Sequence, residues 1–215
     1  MIDAVLFDLD GTLADTAPDL GFALNQQLLR HGKRPLPLKL IRPHASAGSR
    51  GLLMLGFGLT PASPSYDAMR QEYLNLYSEH LCRSTILFAG VSTLLDALDK
   101  GETLWGIVTN KPERFTTPLL KQIGLFDRAA CVVSGDTCPR PKPYPDSLLR
   151  AASDIAMPPT NILYVGDDER DVQAARAAGM RSLIAGYGYL GTENRPDRWG
   201  ADGIVQRPEE ILNFL

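Results

Sequence analysis

The 215-residue sequence predicts an α/β protein: a parallel sheet covered by helices on both faces, with a small helical block inserted after the first strand. Three observations predict it. Apolar runs of four to six residues recur along the chain, separated by stretches of helical periodicity, the pattern of a parallel sheet buried on both faces. Residues 16–83 break that rhythm and hold no strand pattern. Two of the apolar runs end on closely spaced aspartates, which puts acids at the carboxyl ends of strands, where open α/β sheets place their ligands.

The first run, Ala4–Phe7, reads as a short buried strand, and Gly11 soon after it lets the chain turn sharply. In the inserted block, Thr16 is the expected N-cap of a helix, with Pro18 a tolerated early proline and Asp19 an acid in the first turn. Leu20, Leu24 and Leu28 continue that helix at its own spacing, and Gly32 is a stop. A second helical stretch carries Met69, Tyr73, Leu76, Tyr77 and His80. Between the two lies a Gly/Ser/Leu-rich patch, residues 46–58, and Pro35, Pro37, Pro61 and Pro64 mark loops. Further strands are expected at 104–110, 129–133, 161–167 and 182–185, and helices at 91–100, 118–123, 146–155 and 172–178. The chain thus divides into a sheet-bearing part, residues 1–15 and 84–215, and a helical insert, residues 16–83. Asp15-Thr16 and residues 87–90 are the expected hinges.

Composition narrows the partners. The chain is 44% apolar and 22% charged, ordinary for a globular protein. Its net charge of -3, without a long basic run, argues against duplex nucleic acid. Its apolar stretches are far short of a membrane span, and the start, Met1-Ile2-Asp3, lacks the basic n-region of a signal peptide. Three cysteines, Cys82, Cys131 and Cys138, are odd in number and lack C-x-x-C spacing, as expected of free thiols in a reducing cytoplasm.

The acids carry the chemistry. Asp8 and Asp10 stand one residue apart at the end of the first run. Carboxylates this close repel, and one tends to hold its proton unless a positive charge shares the site; a hard divalent cation with oxygen ligands is the natural partner. An EF-hand calcium loop is excluded, because counting from Asp8 the glycine position is Leu13 and the final glutamate position is Asp19. A second constellation, Val165-Gly166-Asp167-Asp168-Glu169-Arg170-Asp171, again ends a strand and opens a helix. Asp167 is placed to reach the same cation, with Asp171 one turn further on. Thr109-Asn110-Lys111 comes after another strand, where a hydroxyl and backbone N–H groups suit a phosphate oxygen. Lys142 stands among prolines, Arg140-Pro141-Lys142-Pro143-Tyr144-Pro145, which hold it at a defined place.

In this order the four elements resemble the four motifs of the haloacid dehalogenase superfamily: Phe7-Asp8-Leu9-Asp10-Gly11-Thr12, then Thr109, then Lys142, then Gly166-Asp167 through Asp171. The resemblance spans the chain and implies a Rossmann-like core with a helical cap at residues 16–83. It also implies a chemistry. Asp8 would be the nucleophile that takes a phosphoryl group, and Asp10 the general acid/base. Asp8, the Asp10 backbone carbonyl and Asp167 would hold Mg²⁺, with Asp171 in support. Thr109 and Lys142 would bind the phosphoryl oxygens, with Asn110, Gly11 and Thr12 counted among the substrate-binding residues. Phosphoryl transfer is largely positioning and charge neutralisation, which suits this set.

Asp10 argues against the dehalogenase branch. Asp10 through Thr16, Val108 through Pro112 and Tyr187-Gly188-Tyr189 resemble the phosphoglycolate phosphatases. Leu104-Trp105-Gly106 and Trp199-Gly200-Ala201-Asp202 are similar to the N-acetylmuramic acid 6-phosphate phosphatases. Both implied substrates carry a carboxylate, for which Arg50, on a Gly-rich turn, is the first candidate and His44 a weaker one. The expected protein is a cytoplasmic, Mg²⁺-dependent phosphatase of a small phosphorylated metabolite, monomeric or homodimeric, with no nucleic-acid or membrane partner. Two alternatives share the motifs or the fold: a phosphomutase of the β-phosphoglucomutase type, and a binding module without catalysis. The second is disfavoured because binding needs no nucleophile and acid together.

Overall fold

Six parallel strands form the centre of the computed structural model, which describes residues 2–191 and 195–215. β1 (Ala4–Phe7) lies in the middle. The chain then forms β2 (Ala14–Asp15) and β3 (Ile86–Leu87), a separate antiparallel pair, before returning to the main sheet as β4 (Leu104–Val108) beside β1. β5 (Val132–Val133) adds outside β4. The path then crosses over to β6 (Ile162–Gly166), on the other side of β1, and continues outward through β7 (Arg181–Ala185) and β8 (Gly203–Val205). The order is β5-β4-β1-β6-β7-β8, so the direction of winding reverses at β1 and β6, where ligands of open sheets bind. In the register, Phe7 stands opposite both Ile107 and Val165. The three central strands therefore end almost level, and Asp8, Thr109 and Asp167 leave the same sheet edge side by side.

Side chains alternate across a strand, and β1 is fully buried on both faces. Val5 and Phe7 face one apolar cluster with α5 (Val91–Lys100) and α6 (Glu113–Gln122); Ala4 and Leu6 face another with α7 (Asp146–Asp154) and α8 (Glu169–Ala178). Three expected boundaries move. α6 starts at Glu113 rather than 118, and Pro118 sits in its second turn instead of opening it. α8 starts at Glu169, because Asp168 caps it and Asp171 closes a capping box. The expected strand at 129–133 shrinks to Val132–Val133, the two residues in register with Ile107 and Val108 at the sheet edge. β8 was not legible, being three residues long and only partly buried.

Between β2 and β3 the helical insert comprises α1 (Ala17–Arg30), α2 (Leu38–Ile41), a 3₁₀ turn Arg42–Ala47, α3 (Gly48–Phe57) and α4 (Tyr66–Glu79). It has its own apolar cluster, including Leu24, Leu28, Ile41, Leu52, Tyr73 and Tyr77, to which Phe115 and Tyr189 of the sheet side contribute. The Gly/Ser/Leu-rich patch is thus mostly helix. Two of its glycines serve packing: a Cβ on Gly56 would stand 2.9 Å from Leu24, and one on Gly51 2.9 Å from the His44 carbonyl. Arg50 consequently lies in the first turn of α3, not on a loop. Thr16 precedes α1 as expected, but its hydroxyl makes no helix cap; it donates to Asp10 instead.

The β2–β3 pair binds together the two segments expected as hinges, and a buried carboxylate ties them further. Asp19, in the first turn of α1, accepts from the backbone N–H groups of Ser84 and Thr85 and from the Thr85 hydroxyl, at 2.7 to 3.1 Å. Asp19→Ala strips partners from these donors, and we expect a loss of about 3 kcal/mol, or roughly 6–12 °C in melting temperature, measurable by thermal denaturation. Among the described residues, no helix is long and apolar enough to cross a membrane.

Candidate active site

Three carboxylates meet at the level strand ends. One oxygen each of Asp8, Asp167 and Asp171 lies within 4.8 Å of the others, and all three residues are buried. Glycine makes the approach possible: Gly11 has φ +86°, and a Cβ there would collide with the Asp167 carboxyl, just as one on Gly166 would collide with that of Asp171.

Lys142 reaches into this group with 3% of its surface exposed. Its Nζ stands 2.7 Å from Asp171 Oδ1 and 3.0 Å from Asp8 Oδ1. The contact with Asp8 is an ion pair rather than an aligned hydrogen bond. The ammonium also donates to the Val108 carbonyl at 3.1 Å and the Tyr164 hydroxyl at 2.7 Å. Burial opposes its charge, but Asp171 and Asp8 outweigh burial and hold it above the usual lysine value. Asn110 fastens the backbone beneath: its Oδ1 accepts from Lys142 N and its Nδ2 donates to Lys142 O, both at 2.9 Å.

Burial pushes the Asp8 carboxyl up to about 6, against the pull of Lys142. Burial, then Asp8 and Asp171, push Asp167 well above the usual carboxylate range. Asp167 receives only neutral donors among the described residues: Thr12 Oγ1 at 3.2 Å, Ser46 Oγ at 2.8 Å and Tyr189 N at 3.0 Å. Asp171 is occupied on both oxygens, by Lys142 on Oδ1 and by the Asp168 N–H on Oδ2 at 3.0 Å. The set fits a divalent cation: three carboxylates face one lysine, and the two acids short of positive charge, Asp8 and Asp167, are adjacent.

Asp10 is set apart. Its carboxylate accepts from Lys111 Nζ at 3.0 and 3.3 Å and from Thr16 Oγ1 at 2.5 Å. The expected crowding of Asp10 among the other acids is therefore replaced by pairing with Lys111, whose ammonium also lies 4.7 Å from the Tyr77 ring centroid. Two acids from one strand end thus occupy different electrostatic surroundings.

A cavity of about 430 Å³ opens beside these groups, between the sheet edge and the helical insert. Asp8, Asp10, Thr109, Asn110, Lys142 and Asp171 line it from the sheet side, and Ser46, Ser49, Arg50, Tyr66, Arg70 and Tyr73 from the insert. The Thr109 hydroxyl accepts from Lys111 N at 3.2 Å and keeps its own proton to donate. Asp8, Asp10, Thr109, Lys142, Asp167 and Asp171 are thus brought together as expected. Gly11 makes room for Asp167, Thr12 donates to it, and Asn110 lines the cavity while its side chain holds the Lys142 backbone. Arg50 lines the cavity; His44 does not. Trp105 is buried and donates to Asp99, and neither Trp105 nor Trp199 lines the cavity. Sequence reasoning missed Ser46, Lys111, Tyr164 and Arg170 as site residues. Lys111 and Arg170 stand within the motifs themselves and could have been found as cations beside acids; Ser46 has no local signal.

Residues 5–185 match the family model described as haloacid dehalogenase-like hydrolase. Over 214 residues the chain is 39% identical to an N-acetylmuramic acid 6-phosphate phosphatase of Pseudomonas aeruginosa, covering 100% of this chain and 95% of that one. It is 43% identical over 208 residues to a phosphoglycolate phosphatase of Xanthomonas campestris, covering 97% and 94%. Among solved structures, a predicted phosphoglycolate phosphatase from Haemophilus somnus superposes with a TM-score of 0.84 at 25% identity, covering 99% of this chain and 97% of the other.

Proposed function

Because the chain belongs to the haloacid dehalogenase-like hydrolases and is a phosphatase among them, we propose that it hydrolyses a carboxylate-bearing phosphomonoester through an aspartyl-phosphate on Asp8, with Mg²⁺ as its cofactor. One observation carries the reading: Asp8 is paired with Lys142 and Asp10 with Lys111, so neighbouring carboxylates are held apart for separate tasks. In the first step Asp8 attacks phosphorus, the bond to the leaving oxygen breaks, and Asp10 supplies that oxygen with a proton. In the second, Asp10 takes a proton from water as the water attacks phosphorus, which frees phosphate and restores Asp8. Lys142 and the Thr109 hydroxyl bind the phosphoryl oxygens throughout. Mg²⁺, held by Asp8 and Asp167, would offset the repulsion between the Asp8 carboxylate and the phosphate dianion. Asp171, engaged on both oxygens, supports Lys142 and the start of α8 rather than the metal directly.

The metal reading has a pH signature. A carboxyl pushed up to about 6 by burial stabilises the metal-free fold below its unfolded value near 3.8, and that contribution disappears as pH rises through 6. The loss amounts to about 3 kcal/mol. Protons and Mg²⁺ then compete for the same oxygen. We expect Mg²⁺ to raise the melting temperature at pH 7.5 and to do so progressively less as pH falls through 6, followed by scanning fluorimetry; equal stabilisation at pH 5 would contradict the assignment.

Residues 16–83 are read as a cap over the sheet edge, residues 1–15 and 84–215 as the catalytic core. Closure would exclude water from the cavity. Arg50 and Arg70 line the cap side, and neither has a carboxylate partner among the described residues. They suit a carboxylate on the leaving group. A cavity of about 430 Å³ with Tyr66 and Tyr73 in its wall exceeds what a two-carbon acid fills, which favours N-acetylmuramic acid 6-phosphate over 2-phosphoglycolate. A phosphate-release screen with both compounds and common sugar phosphates tests the proposal. The expected result is Mg²⁺-dependent release with the highest kcat/KM on the carboxylated amino-sugar phosphate. Isomerisation without phosphate release would favour the mutase reading, and no turnover of any phosphomonoester would end the proposal.

A further inference from the structure

Ser46 ties the helical insert to the sheet edge twice. Its hydroxyl donates to Asp167 Oδ2 at 2.8 Å, and its backbone carbonyl accepts from Arg170 Nη2 at 2.9 Å. Arg170 is itself held rigid. Its Nε donates to Asp168 Oδ1 at 2.7 Å and its Nη2 to Asp168 Oδ2 at 2.9 Å, a two-point pairing that orients the guanidinium plane. Asp168 is in turn locked by the α8 capping box. The same strand-to-helix turn therefore carries Asp167 and Asp171 and grips the insert.

The grip falls just ahead of α3. Ser46 is the penultimate residue of the 3₁₀ turn, two positions before Gly48, whose φ of +56° swings the chain into α3. Ser49 and Arg50, in the first turn of α3, line the cavity opposite Asp8. Holding the Ser46 carbonyl thus sets where those side chains stand relative to the sheet edge. Helix capping alone does not require this arginine, because the α8 cap uses the Arg170 backbone N–H, not its side chain.

We propose that Arg170 is a positioning residue: its guanidinium, braced by Asp168, clasps the Ser46 carbonyl and so holds the first turn of α3 over Asp8. Arginine is suited to the task, since its planar fork serves Asp168 and Ser46 at once, whereas a lysine offers a single mobile charge. The proposal rests on the phosphatase reading only for its kinetic consequence.

The test compares wild type, Arg170→Met, Arg170→Lys and Ser46→Ala in the full-length protein with Mg²⁺ and inorganic phosphate. Amide hydrogen exchange should quicken about tenfold or more in residues 42–57 of Arg170→Met, the effect of one hydrogen bond from a charged group, while α5 stays unchanged. Arg170→Lys should recover little of this protection, and Ser46→Ala, which keeps its carbonyl, should remain nearer wild type. In turnover, Arg170→Met should raise KM about tenfold for the carboxylated substrate that the screen identifies. Its kcat/KM for p-nitrophenyl phosphate, whose leaving group bears no carboxylate, should change only about threefold or less. Unchanged exchange in residues 42–57, or equal kinetic losses on both substrates, overturns the proposal. Should no phosphomonoester be hydrolysed, the phosphatase reading fails while the exchange comparison still decides the clasp.

Discussion

Asp8→Asn is expected to abolish turnover and at the same time to stabilise the metal-free protein. Loss of the nucleophile should lower kcat by about 10³-fold or more, since no neighbouring carboxylate is placed to replace it: Asp10 is bound to Lys111 and Thr16, Asp171 is spent on Lys142 and the α8 cap, and Asp167, held by Thr12, Ser46 and the Tyr189 N–H, does not line the cavity. The stability change comes from burial. Asp8 is buried with its carboxyl pushed up to about 6, so at pH 7.5 the metal-free fold carries an ionised group that its surroundings disfavour. An amide of the same shape removes that charge, and the gain should approach about 3 kcal/mol at pH 7.5 and vanish near pH 4, where the wild-type group is protonated. Mg²⁺ should in turn stabilise the variant much less than wild type. Turnover assays with melting curves across pH check all three. Retained turnover would remove Asp8 from the nucleophile's place, and a destabilised variant would mean that the pairing with Lys142 outweighs burial.

Lys142→Met has the second large effect, in the opposite direction for stability. The lysine is the only cation within ion-pair distance of Asp8 and Asp171 among the described residues. A methionine fills similar volume and leaves two buried carboxylates facing each other, for which removal of one member of a buried charge set costs about 3–5 kcal/mol. Because the penalty is that of two ionised acids, it should shrink as pH falls or Mg²⁺ is added. Turnover should fall about 10²–10³-fold from the loss of one charged group facing the transferring phosphoryl oxygens. Lys142→Arg should not rescue, since the site is closed around a single ammonium by the Val108 carbonyl and the Tyr164 hydroxyl. A variant as stable as wild type at pH 7.5 would show that Asp8 and Asp171 do not both carry charge there.

Much of the architecture was legible because it is local. A fully buried strand such as Ala4–Phe7 must be apolar throughout, and a helix such as α5 must repeat its leucines at 3.6 residues; both patterns are visible without neighbours. The edge elements were not. β5 and β8 are two and three residues long, and their pairing is decided by the strands beside them. In the insert, the patch that holds Gly51 and Gly56 is not legible as a helix, because a sequence does not reveal that Leu24 and the His44 carbonyl would occupy the space of a Cβ. Thr16 misleads for a related reason: a hydroxyl just before a helix has a local use as a cap, but a carboxylate nearby takes it instead.

What the sequence by itself determined is the set of reactive groups and their edge of the sheet: Asp8, Asp10, Thr109, Lys142, Asp167 and Asp171 each come after a strand or within a stiff loop, and parallel strands must present such residues together. What the tertiary structure alone decided is how charge is shared among them. Lys142 joins Asp8 to Asp171, Lys111 draws Asp10 away, and Asp167 is left to neutral donors. Spacing along the chain cannot assign those pairs, because each joins residues 29 to 134 positions apart, and only the folded distance settles which carboxylate keeps its cation and which is left needing one.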